Sequence, residues 1–119
     1  MAILPFEAGV RRAPGAAIID LRGEIDGFSE EALNAAYAEA AAQSAGSVLL
    51  NFGGVTYINS TGIALIVGLL AQARKSGRRL LTCGLSDHYV EIFKITRLAD
   101  FLNIYADEAT ALQAAQVGT

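Results

Sequence analysis

The chain has 119 residues, 53% apolar and 18% charged, with a formal net charge of -3. This length fits one domain, residues 1–119, with enough apolar material for a core. The acidic balance argues against direct nucleic-acid binding, which needs a positive field, and one cysteine, Cys83, excludes an internal disulfide framework.

Residues 4–12 read as a weak strand. In Ala13-Pro14-Gly15-Ala16, proline presets φ and glycine accepts a positive φ, so a tight turn follows. Residues 17–22 form the returning strand of a hairpin, and Gly23-Glu24-Ile25-Asp26-Gly27 is expected to break it. Ser29 is the expected N-cap of a first helix, with Glu30 and Glu31 in its first turn. Leu33, Ala36, Tyr37 and Ala40 keep helical spacing, and Gly46 is the stop.

Residues 47–52 are a nearly continuous apolar run, as in a strand buried on both faces. After Gly53-Gly54 and residues 55–58, Asn59-Ser60-Thr61-Gly62 opens a second helix to about Ser76. Its apolar positions are Ile63, Ile66, Val67 and Leu70, and Gly77 ends it. Residues 80–83 are another buried strand. Residues 85–96 form a third helix capped by Ser86 or Asp87, residues 101–105 a last strand, and Asp107 caps a final helix carrying Ala111, Leu112 and Ala115. The order ββαβαβαβα predicts an α/β domain. Its sheet is mixed but mostly parallel, with about four helices and the hairpin at an edge.

Residues 1–15 lack a charged start followed by an apolar run, and the apolar stretch 63–73 is shorter than the roughly 18–20 residues of a membrane span. A cytoplasmic protein without a membrane span is expected. The one histidine, His88, stands beside Asp87 at a helix start, where a surface or capping role is expected. One Cys and one His do not make a zinc site, and neither GxxxxGK[ST] nor GxGxxG occurs. No catalytic residue, metal or cofactor is therefore expected. Cys83 reads as a small buried hydrophobe, and Arg74, Lys75, Arg78 and Arg79 as a solvated helix end.

The junction at residues 57–62 is distinctive because it puts two hydroxyls, Ser60 and Thr61, between a strand and a helix. Either hydroxyl can serve as a cap for free backbone donors. The same free N–H groups and positive partial charge also tolerate a phosphate.

The run from Val48 through Asn59-Ser60-Thr61-Gly62-Ile63 resembles the core motif of the STAS domain family: a buried strand, a short turn, then Asp-Ser-Ser/Thr-Gly opening a helix. Gly23-Glu24-Ile25-Asp26 resembles the turn before the family's first helix. Residues 73–80 resemble its basic helix end, glycine and next strand, and Phe93-Lys94-Ile95-Thr96 its third helix and following turn. The likeness runs over residues 4–112 with the four motifs in order.

The resemblance implies an anti-sigma factor antagonist rather than an enzyme. Its partner is an anti-sigma factor with serine kinase activity, which supplies the nucleotide and phosphorylates the serine after the motif's aspartate. The complex then dissociates, and a phosphatase resets the serine. The matching position is Ser60, with Thr61 the second choice. Asp26, Asn59, Ser60, Thr61, Gly62 and Ile63 are the expected partner-binding residues, although Asp26 can equally be a carboxylate that stabilises its own turn. This chain has Asn59 where the family has aspartate, which alters the charge beside the acceptor. An alternative is a STAS scaffold or adaptor subunit of a stress-signalling or transport-associated complex that is never phosphorylated.

Overall fold

The computed structural model describes residues 5–43 and 46–117. Its strands are β1 (Glu7–Ala13), β2 (Ala16–Ile25), β3 (Ser47–Ile58), β4 (Arg79–Cys83) and β5 (Asn103–Tyr105). The helices are α1 (Glu30–Gln43), α2 (Ser60–Lys75), α3 (Asp87–Ile95) and α4 (Glu108–Val117). The strands lie in sequence order, β1-β2-β3-β4-β5, with β1 antiparallel to β2 and the other pairs parallel. This is the mixed, mainly parallel α/β sheet expected, with the hairpin at one edge.

Alternation along the central strands explains the two cores. Ala17, Ile19 and Leu21 of β2, Val48, Leu50 and Phe52 of β3, and Leu80 of β4 face one side. There they meet Leu33, Ala36, Tyr37 and Ala40 of α1, Ile66, Leu69, Leu70 and Ala73 of α2, and Tyr89 and Phe93 of α3. The intervening Ala16, Ile18, Leu49, Leu81 and Cys83 face the other side, under Ala111 and Ala115 of α4. Strands covered on both faces are apolar at nearly every position, hence the nearly continuous runs in the sequence, with Ser47 and Thr82 buried among them. Burial also pushes the Cys83 thiol up to about 11, leaving it protonated at neutral pH.

Several boundaries differ from expectation. Gly23 does not break β2. It takes φ 86° and the strand continues to Ile25, with register shifts against β3 flanking it. Gly53-Gly54 likewise makes no turn, and β3 runs unbroken to Ile58. A Cβ on Gly54 would lie 2.5 Å from Arg22 Cγ, so glycine here lets the irregular strands stay paired. The last strand starts at Asn103, because Leu98–Asp100 forms a 3₁₀ turn that leaves Phe101 at the surface. Val67 of α2 is half exposed, whereas Leu69 and Ala73 complete that helix's buried stripe.

β3 outruns β4. Their pairing stops at Asn51 and Cys83, while β2 and β3 stay together as far as Ile25 and Ile58. The β2–β3 ends therefore project beyond the rest of the sheet and carry the next residues, Asp26 and Asn59, side by side.

Candidate functional site

The two projecting strand ends are tied to each other. Asn59 N–H donates to Ile25 O at 3.1 Å, closing the ladder one residue past its last pair. In a parallel strand, alternate residues bond to opposite neighbours. Ile58 therefore turns its peptide groups away from β2, toward space that β4 no longer fills. Tyr89 of α3 supplies the partner. Its hydroxyl accepts from Ile58 N–H at 2.8 Å and donates to Ile58 O at 3.4 Å.

Asp26 begins the turn between β2 and α1. Its carboxylate accepts from Phe28 N–H at 2.9 Å, and the Ser29 hydroxyl accepts from Asp26 N–H at 3.0 Å. Ser29 also donates to Glu24 O at 3.2 Å and is fully buried. The expected roles are thus shared differently: Asp26 is the cap of the Gly27–Ser29 3₁₀ turn that leads into α1, and Ser29 is its reciprocal partner rather than the cap. The turn-stabilising role considered for Asp26 is real.

Asn59 is the N-cap of α2. Its side-chain Oδ1 accepts from Gly62 N–H at 2.8 Å, and its carbonyl accepts from Ile63 N–H at 2.9 Å. Neither Ser60 nor Thr61 caps the helix, in contrast to the capping expectation. Both are exposed in its first turn. That turn holds no acidic residue, so nothing within it offsets the positive end of the helix dipole.

Gly62 sets how closely α2 approaches the sheet. A Cβ there would lie 2.3 Å from Ile25 O and 2.9 Å from Ile58 Cγ2, so only glycine lets the first turn sit on the strand ends. A Cβ on Gly27 would meet Thr61 Cγ2 at 3.5 Å, so the corner carrying Asp26 also packs against the corner carrying Thr61. The structure brings Asp26, Asn59, Ser60, Thr61 and Gly62 together at one end of the sheet, and partly buried Ile63 is one residue further along α2.

One surface residue at this end escaped the sequence reading. Phe28, in the turn between Asp26 and Ser29, is 98% exposed. The available signal was its position: it precedes the Leu33–Ala36–Tyr37–Ala40 stripe and shares no face with it. Its ring is a large apolar side chain left open to solvent beside the Asp26 turn. Among the described residues, no cluster of three or more His, Cys, Asp or Glu side chains could hold a metal. Among the described residues, no helix is long and apolar enough to cross a membrane.

The family model for the STAS domain matches residues 7–111. The anti-sigma-B factor antagonist of Bacillus subtilis is 30% identical over 95 residues, covering 80% of this chain and 86% of that protein. An anti-sigma factor antagonist from Mycobacterium paratuberculosis superposes with a TM-score of 0.75 at 19% identity, covering 94% of this chain and 95% of that one. The Bacillus cell fate determinant SpoIIAA, in a structure described as the phosphorylated form, superposes with a TM-score of 0.67 at 21% identity, covering 92% and 97%. With the family pattern extending across the sheet, the helices and the Asn59–Gly62 corner, this chain belongs to the STAS domain family.

Proposed function

We propose that this chain is a cytoplasmic anti-sigma factor antagonist that binds an anti-sigma factor with serine kinase activity and is switched off by phosphorylation of Ser60. Supporting the role are the relatives named for it, in Bacillus subtilis and Mycobacterium paratuberculosis. The observation that carries the site is the division of labour at the mouth of α2. Asn59 does the capping, which leaves the adjacent Ser60 hydroxyl exposed and uncommitted.

The chain presents the acceptor and the partner supplies the nucleotide and catalytic groups, so no catalytic residue is needed here. In the transfer, Ser60 Oγ bonds to the γ-phosphorus of ATP, the bond to ADP breaks, and the hydroxyl proton passes to a base on the kinase. The product adds about 1.5 to 2 negative charges at the positive end of α2, where the fold tolerates them. The same charge lies among Asp26, Phe28 and Ile63, the groups a docked partner would cover, so desolvating it against the partner is unfavourable. A phosphatase restores the neutral surface.

Incubation with the cognate kinase and ATP, followed by phosphosite mapping, tests the assignment. Phosphate on Ser60 supports it, and Thr61 is the second choice. Stable binding to the partner with no phosphate on either residue would instead identify a STAS scaffold or adaptor subunit.

A further inference from the structure

Along α2, away from Ser60, lies an open apolar groove of about 540 Å³ between that helix and the segment joining α3 to β5. Ile63, Val67 and Leu70 form one wall, and Leu98 and Phe101 the other. Val67 is 44% exposed and Phe101 55%, so apolar area that a folded chain normally covers faces solvent here.

Its charges are one-sided. Arg74 and Arg97 line the groove and no carboxylate does, although the chain as a whole is acidic. Arg74 is held with its guanidinium 5.2 Å from the centre of the Phe101 ring. Arg97 pairs with Asp100 at 2.6 Å just outside the lining. Arg97 is also the one non-glycine residue with positive φ among those described, at 68°. Glycine takes that conformation without steric cost. Arginine in it puts a guanidinium on the rim.

We propose that this groove binds an acidic amphipathic helix of a protein partner. The wall from Ile63 to Arg74 spans roughly 16 Å at the rise of an α-helix, about three turns, which suits anchors at i, i+3 or i+4, and i+7. The walls are a helix, whose backbone groups are bonded internally, and a turn, so no free strand edge invites an extended peptide. Carboxylates flanking the apolar stripe would meet Arg74 and Arg97. The inference does not depend on phosphorylation at Ser60: it shares only Ile63 with that surface, and Val67, Leu70 and Arg74 lie about two turns or more along α2 from Ser60.

The test uses the purified full chain and a fluorescent alanine-based helical peptide with leucines on one face and glutamates beside them. Anisotropy should show saturable binding. Replacing the glutamates with lysines should weaken it roughly tenfold or more at low salt. Val67→Glu, a change at an exposed helical position, should abolish it while leaving the circular dichroism and melting curve intact. No saturable binding, equal binding of both peptides, or full binding by Val67→Glu would overturn the proposal. So would a dimer of the chain alone that Val67→Glu dissociates, because the occupant would then be a second copy. No kinase or ATP is present, so failure here leaves the Ser60 assignment standing, and absence of phosphate on Ser60 leaves this one standing.

Discussion

The Tyr89 hydroxyl bonds to both the N–H and the carbonyl of Ile58, taking the place of a neighbouring strand where β3 extends past β4. Both partners are buried, and Ile58 immediately precedes the cap of α2. Helix α3 thereby holds the strand end from which Ser60 is presented. Tyr89→Phe leaves a buried N–H unpaired, which costs about 1–3 kcal/mol. Urea denaturation should show that loss, with amide exchange rising first at Ile58 and Asn59. An unchanged midpoint would mean the hydroxyl contributes nothing there.

Asn59 caps α2 through Gly62 N–H. Asn59→Ala should lower stability by about 0.5–2 kcal/mol. Asn59→Asp keeps the acceptor and adds charge at the positive helix end, so it should match or exceed the parent by about 0.3–1 kcal/mol at low salt. Denaturation of the three proteins side by side gives both numbers.

Gly62→Ala would put a methyl group 2.3 Å from Ile25 O, where neither backbone can yield without moving the corner. A loss of about 3 kcal/mol or more is expected, above the usual range for overpacking because the contact is with backbone. Gly68→Ala, on the same helix but facing open space, serves as the control and should be neutral or stabilising by up to about 1 kcal/mol.

Arg11 joins the hairpin to α4 by bonding both Asp20 of β2 and Glu108, the latter at 2.6 Å. Hydrogen bonding from Arg11 holds the Glu108 carboxyl below its ordinary value of 4.5, despite some desolvation. The folded value lies below the unfolded one, so the stabilisation is fully present above about 4.5 and fades as the pH falls through the folded value. Glu108→Gln should therefore lose stability at neutral pH and show a shallower acid limb than the parent. Urea midpoints across pH 3 to 7 measure both, and parallel curves for the two proteins would contradict the linkage.

Much of this architecture was legible because local chemistry and tertiary demand agree. Apolar runs bounded by glycine became doubly covered strands, and the spacing of Leu33, Ala36, Tyr37 and Ala40 matched the face that α1 buries. Reading failed where a residue's usual meaning was overridden by packing. Gly23 and Gly53-Gly54 look like strand breakers, yet in the β2–β3 ladder they accommodate register shifts and the close approach of Arg22. Ser29 looks like a cap, but Asp26, three residues earlier, takes that position in a 3₁₀ turn. The motif residues Asn59, Ser60, Thr61 and Gly62 lie with Asp26 at one end of the sheet, whereas Phe28 was missed because a single exposed aromatic has no periodicity to betray it.

The most direct test of the switch is the affinity of three proteins for the cognate anti-sigma factor: the parent, Ser60→Asn and Ser60→Asp. The neutral substitution should bind within a few-fold of the parent, while the charged one should lose at least tenfold, about 1.4 kcal/mol, with its melting temperature preserved. Equal affinity for all three would show that charge at the mouth of α2 does not govern docking, and the account of Ser60 would fail.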